Sequence, residues 1–260
     1  MTYCVALSVD DGLVFCSDSR TNAGPDMISA YSKMHIFKPS PDRMFVVLTA
    51  GNLATTQAII SRLEHEHEDP DVDNLLNCKK MGDAARYVSQ VSRDEQNSAN
   101  EMTATSKVDT SCSLIFGGQI RGQPPAIFMI YAAGNFITDS TEHPFIQIGE
   151  SKYGKPILDR IVTRKTSLED AARCAVVSMD STIKSNATVG PPIEVLIYEN
   201  DTFDNDHYIR LEEDDQYLRD VRQAWNEALK LSFAELPKFE WEKRSHIVTN
   251  VRPIIHDINK

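Results

Sequence analysis

The 260-residue chain lacks the features of several specialised classes of protein. No stretch approaches the ~18 apolar residues of a membrane span, and no run of ~7–15 apolar residues follows a basic start, so we predict neither a membrane segment nor a signal peptide. Lys and Arg number 27 against 38 Asp and Glu. The resulting net charge of −11 argues against nucleic acid as a partner and disfavours membrane surfaces.

Cysteine is scarce, and its spacing is wide. The five cysteines are an odd number without a C-x-x-C motif: Cys4, Cys16, Cys78, Cys112 and Cys174. This pattern is typical of reduced thiols rather than of a disulfide framework, so we predict a cytoplasmic protein.

Motifs for cofactors and nucleotides are also missing. No G-x-x-x-x-G-K loop occurs, so any energy-dependent unfolding of a substrate must come from a separate unfoldase chain. Residues 65–69 have the residue types of a metal site, but a polar helix end before Pro70 explains them without a metal. We predict no cofactor and no metal.

Hydrophobic periodicity predicts the order strands, two helices, strands, two helices, strands, helix. Such segregated runs indicate an α+β fold in which helices cover two packed antiparallel sheets. No linker or internal repeat divides the chain, so we predict a single domain over residues 1–260. We interpret residues 201–260 as a C-terminal extension at a subunit contact.

The N-terminus carries the strongest chemical signal. Residues 2–9 form a predicted strand that begins at Thr2, and methionine aminopeptidases remove Met1 when the next side chain is small. Thr2 would then carry a free α-amine beside its hydroxyl, which is a nucleophile together with its base. A threonine in second place is weak evidence by itself, so the hypothesis depends on its predicted neighbours.

Two charged residues are predicted to lie near Thr2. A D-G turn at residues 10–12 folds the next strand back, which pairs position 2 with about positions 19–20 and brings Asp18 close. Lys33 falls near the start of the third predicted strand, over residues 31–37. A buried lysine is costly unless it is paired, so Asp18 is the candidate partner of Lys33. The positive charge of Lys33 would lower the pKa of the Thr2 α-amine.

These residues occur in an order that resembles a proteasome-type peptidase of the N-terminal nucleophile class, and most closely the bacterial Anbu (ancestral beta-subunit) family. The likeness spans roughly residues 2–200. The segments that carry it are residues 2–6, 12–22, Lys33, 49–52, 148–156 and 178–182.

The resemblance implies a four-layer αββα sandwich that assembles into a multi-subunit ring or helical oligomer. It implies that Thr2 is the nucleophile and that Asp18 and Lys33 polarise it. Gly51 would supply the backbone N–H of an oxyanion hole. Further catalytic residues are implied by the later motif, namely Asp180 near the amine, with Ser181 or Ser185 beside it.

The sequence departs from the family pattern after Gly149. Where related proteasome subunits place a serine directly after a glycine, this chain has Glu150, and Ser151 comes one position later. We therefore include Ser151 among the candidate catalytic residues, on weaker grounds than the others.

Three functions remain open at this point. The first is a threonine peptidase or amidase that acts on protein or peptide. The second is a non-catalytic assembly subunit, against which the retained Asp18 and Lys33 argue. The third is an N-terminal nucleophile amidase that acts on a small amide, since the same fold serves both substrate classes.

Overall fold

The computed structural model describes residues 1–22, 28–65, 74–105 and 108–243. Strands and helices occur in nearly the order that the sequence predicts. The elements are β1 (Tyr3–Val9), β2 (Gly12–Asp18), β3 (Arg20–Asn22), β4 (Ile28–Ala30), β5 (Met34–Ser40), β6 (Arg43–Gly51), α1 (Leu53–His65), α2 (Met81–Met102), β7 (Cys112–Ile120), β8 (Ala126–Ile130), β9 (Phe136–Thr138), β10 (Phe145–Gly149), α3 (Lys155–Ile161), α4 (Leu168–Ser185), β11 (Ile193–Glu199), β12 (Tyr208–Leu211), α5 (Gln216–Ala234) and α6 (Glu240–Lys243).

Ten of these strands form two five-stranded antiparallel sheets. The first sheet has the order β10-β1-β2-β11-β12, and the second has the order β5-β6-β7-β8-β9. The short strands β3 and β4 pair with each other outside both sheets. The N-terminal strand β1 is therefore an inner strand, held between β10 and β2.

Three apolar layers separate four layers of secondary structure. Alternate residues of β1 point to opposite faces, because side chains alternate along a strand. Tyr3 and Val5 pack in one layer with residues of α3 and α4, whereas Cys4 and Ala6 lie between the two sheets. The outer face of the second sheet packs with residues of α1 and α2. This is the αββα sandwich that the resemblance implies, and the prediction is confirmed.

The third main strand lies slightly later than predicted. It runs over Met34–Ser40 as β5, so Lys33 precedes the strand, although its backbone oxygen still accepts a hydrogen bond from Thr49 N at 3.0 Å. Part of the predicted loop over residues 21–30 instead forms the paired strands β3 and β4. Its three-residue strands are too short to give a periodic signal.

The chain divides into two compact units, Met1–Arg222 and Gln223–Lys260. The first contains both sheets. In the described part of the second, most of the large apolar side chains are exposed, with Phe233 at 76% and Trp241 at 70%. The role of residues 201–260 in assembly stays a prediction.

Membrane insertion by a helix finds no support in the described ranges. None of the helices there combines the length and the apolar composition that crossing a bilayer requires.

Candidate active site

Backbone hydrogen bonds fix the position of Thr2 from two sides. Its carbonyl oxygen accepts a hydrogen bond from Glu150 N at 2.7 Å, and Tyr3 N donates to Asp18 Oδ1 at 3.0 Å. The hydrogen bond from Glu150 N to Thr2 O depends on the glycine at position 149. It has φ +80°, and a Cβ atom built there would lie 2.0 Å from Thr2 O. A side chain at position 149 would therefore displace Thr2.

Asp18 and Lys33 form a buried ion pair next to Thr2. The Lys33 Nζ lies 2.7 Å from Asp18 Oδ1, and the side chains are only 8% and 0% exposed. Lys33 Nζ also donates to Arg20 O at 2.8 Å, and Gly190 N donates to Asp18 Oδ2 at 3.3 Å. The structure therefore brings together the two residues that the sequence predicts as an ion pair.

The environment of Asp18 acts on its pKa in opposite directions. Burial raises the pKa of this carboxyl group above its usual value, because the ionised form loses its hydration. The Lys33 ammonium and the backbone N–H groups of Tyr3 and Gly190 oppose that rise. The contacts that hold the carboxylate in place also favour its charged form.

A cleft of about 290 Å³ opens at the start of β1. Several predicted site residues line it together. Its lining consists of Met1, Thr2, Arg20, Thr21, Lys33, Thr49, Ala50, Gly51, Leu53, Thr56 and Gly149.

Gly51 ends β6 at the edge of this cleft. Its φ is +122°, and a Cβ atom there would lie 2.4 Å from Ser111 O. The following residue, Asn52, donates its backbone N–H to that same oxygen at 3.0 Å. Glycine is thus required where the chain turns from β6 into α1, and its backbone borders the cleft that Thr2 lines.

Met1 is present at the mouth of the site and is 65% exposed. The pKa of its α-amine is lowered, chiefly by partial burial and next by the charge of Lys33, while Asp18 opposes the shift. The amine at the start of the chain thus lies within the field of the Asp18–Lys33 pair.

The sequence did not identify the anchor of Tyr3. Its hydroxyl group lies 2.6 Å from Ser178 Oγ and accepts a hydrogen bond from Gln147 Nε2 at 2.7 Å. Burial raises the pKa of Tyr3 well above its usual range, so the hydroxyl stays neutral. Tyr3, the residue after Thr2, is therefore held by hydrogen bonds to both α4 and β10. The only sequence signal was the position of Ser178 inside the motif at residues 178–182.

The residues predicted from the later motif do not share hydrogen bonds with Thr2. Asp180 Oδ1 accepts a hydrogen bond from Arg222 Nε of α5 at 2.7 Å. The hydrogen bonds of the described residues include none from the hydroxyls of Ser181 and Ser185, which are half-buried and exposed respectively. Their catalytic roles stay predictions for the processed chain, in which the amine would belong to Thr2.

After Gly149, Glu150 rather than a serine makes the contact with Thr2. Glu150 uses its backbone N–H to hold Thr2, while its buried carboxylate accepts a hydrogen bond from Asn186 Nδ2 at 3.2 Å. Ser151 is half-buried, and its backbone oxygen accepts the hydrogen bond of Lys155 N at 3.2 Å. A role for the Ser151 hydroxyl stays a prediction.

Metal coordination has no candidate in the described ranges. Nowhere in them do three or more His, Cys, Asp or Glu side chains form a group suited to a metal ion. Residues 66–69 of the histidine-containing tract lie outside those ranges.

A four-layer sandwich with a small hydroxyl residue at the start of an inner strand defines the N-terminal nucleophile hydrolase fold. Comparison with protein families agrees with this architecture, since the family model described as proteasome subunit matches residues 2–198. Comparison with curated proteins gave no match.

Solved structures give a narrower relationship. Anbu (ancestral beta-subunit) from Yersinia bercovieri is 45% identical with a TM-score of 0.85, and the match covers 92% of this chain and 99% of that chain. Anbu from Hyphomicrobium sp. strain MC1 is 42% identical with a TM-score of 0.83, covering 92% and 100%. The Anbu complex from Pseudomonas aeruginosa, described as a helical assembly, is 46% identical with a TM-score of 0.85, covering 92% and 98%. The chain belongs to the proteasome family, in its Anbu branch.

Proposed function

We propose that the chain is a threonine-type peptidase or amidase that acts by acyl transfer from Thr2 after removal of Met1. One observation carries this proposal. Thr2 lines a cleft together with Lys33, whose ammonium is held 2.7 Å from the buried carboxylate of Asp18. A structural subunit would gain nothing from a buried ion pair at this place, because such pairs contribute little net stability.

Removal of Met1 supplies the base. The new α-amine lies on the carbon next to the one that bears the Thr2 hydroxyl, so both functional groups belong to one residue. An ordinary α-amine has a pKa of about 8, and a nearby cation increases its neutral fraction at neutral pH. Lys33 already lowers the pKa of the amine that precedes Thr2.

The acyl-transfer steps follow from this arrangement. Thr2 Oγ forms a bond to the substrate carbonyl carbon as its proton passes to the α-amine. The developing oxyanion would be held by the backbone N–H of Gly51, a contribution of about 2.7–4 kcal/mol for such donors. The α-ammonium returns its proton to the leaving amine as the carbon–nitrogen bond breaks. Water then hydrolyses the Thr2 ester with the amine again acting as base.

The proposal includes self-association and a protein or peptide substrate. The helical assembly described for the Pseudomonas aeruginosa relative supports oligomerisation, and any unfoldase would be a separate chain. All five cysteines are buried free thiols in the structure, which supports a reducing, cytoplasmic compartment.

Intact mass and active-site labelling test the proposal together. Protein purified from its native host should lack the mass of Met1, and an electrophile that requires an amine and a hydroxyl on adjacent carbons should modify Thr2. Thr2→Ala should abolish both labelling and hydrolysis, whereas Thr2→Ser should retain labelling. Retention of Met1 in the native protein, or hydrolysis by Thr2→Ala, would overturn the mechanism.

The same reagents separate the remaining alternatives. A chain that lacks Met1 but remains unlabelled is a non-catalytic subunit. Labelling of Thr2 that competes with a small amide, and is not affected by peptides, would identify the small-amide hydrolase instead.

A further inference from the structure

A second buried carboxylate lies close to the candidate site. Glu194 is an acidic residue in the mainly apolar strand β11, and it is only 2% exposed. It is paired with Ser17 of β2 in the ladder, and its strand neighbours on the same face, Leu196 and Tyr198, lie in the layer between the sheets. An acid at such a position is costly to bury, so its contacts indicate what it does.

Hydroxyl groups, rather than a cation, satisfy Glu194. Ser32 Oγ lies 3.0 Å and 2.9 Å from its two carboxylate oxygens, and Ser19 Oγ donates at 3.2 Å. The Tyr208 hydroxyl of β12 donates at 2.5 Å. The salt bridges of the described residues include none to Glu194. This carboxylate therefore organises three hydroxyl donors and does not neutralise a lysine or an arginine.

Two of these donors adjoin the catalytic pair in the sequence. Ser19 follows Asp18, and Ser32 precedes Lys33. Through the hydroxyls of these two serines, Glu194 thus connects the segment that contains Asp18 with the segment that contains Lys33. Ser32 Oγ also lies 2.9 Å from Met34 O and 3.3 Å from Met34 N, which fixes the chain as it enters β5.

We propose that Glu194 is a positioning residue that holds Lys33 against Asp18 through the hydroxyls of Ser19 and Ser32. The catalytic part of this inference rests on the proposed function, but its geometric part does not. Glu194 does not touch the cleft; it acts through the two serines.

A carboxylate suits this task better than a neutral group. An ionised carboxylate only accepts hydrogen bonds, so it can accept the protons of several neighbouring hydroxyls at once. Hydrogen bonds to a charged acceptor are also shorter and stronger than neutral ones. Leucine or methionine would fill the layer without the cost of burying a charge, but neither could orient Ser19 and Ser32.

The electrostatic effects of the charged groups near Glu194 must be distinguished from the effect of Glu194 on the position of Lys33. His35 of β5 and Arg210 of β12 lie within electrostatic range of its carboxylate. Burial lowers the pKa of His35, and the charge of Glu194 opposes that shift. Besides burial, Lys33 and Asp18 are the groups that shift the pKa of the Met1 α-amine, and Glu194 is not among the causes of that shift. Loss of the Glu194 charge alone should thus leave the amine nearly unchanged.

The test compares Glu194→Ala and Glu194→Gln with a matched control. Glu199→Gln removes one negative charge from the same strand at an exposed position. The first measurement is the pKa of the Thr2 α-amine in the chain that lacks Met1, read by NMR after ¹³C-methylation of the amine. It reports on Lys33 whether or not the chain hydrolyses anything. The second is kcat and KM of the chain that lacks Met1, with its pH profile.

Displacement of Lys33 predicts a specific set of changes. Glu194→Ala should raise the pKa of the amine and move the acid limb of kcat/KM to higher pH. It should lower kcat on the order of 10- to 100-fold with KM within about twofold, because misplaced catalytic groups reduce the rate of the bound complex. Glu194→Gln keeps one acceptor oxygen and should fall between alanine and wild type. Glu199→Gln should match wild type.

Ser32→Ala serves as the second variant if Glu194→Ala fails to fold. Ser32 is exposed, so this change should leave the fold intact while it removes one link to the carboxylate. It should shift the amine pKa in the same direction and by less. The proposal is overturned if Glu194→Ala, or Ser32→Ala in its place, leaves the amine pKa and kcat equal to those of Glu199→Gln. A wild-type chain that binds no electrophile at Thr2 would instead overturn the proposed function alone.

Discussion

Two groups of predicted site residues behave differently in the structure. Asp18 and Lys33, which lie at strand ends, form the ion pair beside Thr2. Asp180 and Ser181, which lie on α4, make no hydrogen bond to Thr2. Asp180 pairs with Arg222 instead. Ladder pairing fixes the position of a strand residue to within one register step, because a slip would move buried side chains to the other face. The position of a helix residue depends on how the helix packs, which local sequence does not determine.

The largest expected effect tests the strand-borne group. Lys33→Met leaves the buried Asp18 carboxylate without its cation, which should destabilise the fold by about 3–5 kcal/mol. It should also lower kcat on the order of 10²–10⁴-fold, because the amine loses the field that tunes it as a base. Chemical denaturation and steady-state kinetics would measure both effects.

The pH dependence of this variant has a defined sign. Burial lowers the pKa of the Met1 α-amine and the charge of Lys33 lowers it further, so we expect the neutral form of a Thr2 amine to persist to lower pH when the lysine is present. Without it the pKa rises, and the acid limb of kcat/KM should move to higher pH. Lys38→Met, an exposed position on the strand β5 that follows Lys33, is the matched control. An unmoved acid limb in Lys33→Met would show that the amine is not the base.

An intermediate effect tests the helix-borne group. Arg222→Gln leaves the nearly buried Asp180 carboxylate without its cation, which should destabilise the fold by about 1–3 kcal/mol. We expect kcat to stay within about twofold of wild type, because this contact is made away from the cleft residues. Thermal unfolding and kinetics would be compared with Arg219→Gln, an exposed position on the same helix. A large fall in kcat without loss of stability would place Asp180 in the catalytic machinery.

The smallest effect is expected at the two serines of α4. Ser181→Ala and Ser185→Ala remove hydroxyls that make no hydrogen bond within the described residues, so stability should change by no more than about 0.5 kcal/mol. Electrophile labelling of Thr2 should proceed at the wild-type rate in both. If one variant alone slows labelling, that serine accompanies Asp180, and the contrast between strand-borne and helix-borne residues no longer holds.

The sequence predicts contacts well where they follow from a single hairpin. The D-G turn at residues 10–12 sets the β1–β2 register, in which Cys4 is paired with Ser17, so Asp18 meets the start of β1 as expected. The order of strands and helices was also sufficient for the layered α+β architecture. These features depend on local turns and on side-chain alternation, which a sequence shows directly.

Contacts between distant segments were not predictable in the same way. Ser178 lies 175 residues from Tyr3 in the sequence, and Glu194 lies 162 residues from Ser32. No periodicity or spacing relates such positions. Glu194 did leave one signal, an acid among β-branched and aliphatic residues in β11, since a charge inside an apolar strand requires a compensating contact.

The hydrogen bonds around Thr2 also determine what maturation changes. Its carbonyl is held by Glu150 N and the next amide by Asp18, and both contacts exist while Met1 is attached. Met1 itself is largely exposed and takes part in none of the hydrogen bonds among the described residues. These hydrogen bonds are therefore complete while Met1 is attached. Under the proposed mechanism, cleavage of one peptide bond would convert an inert amide nitrogen into a base without refolding of the surrounding strands.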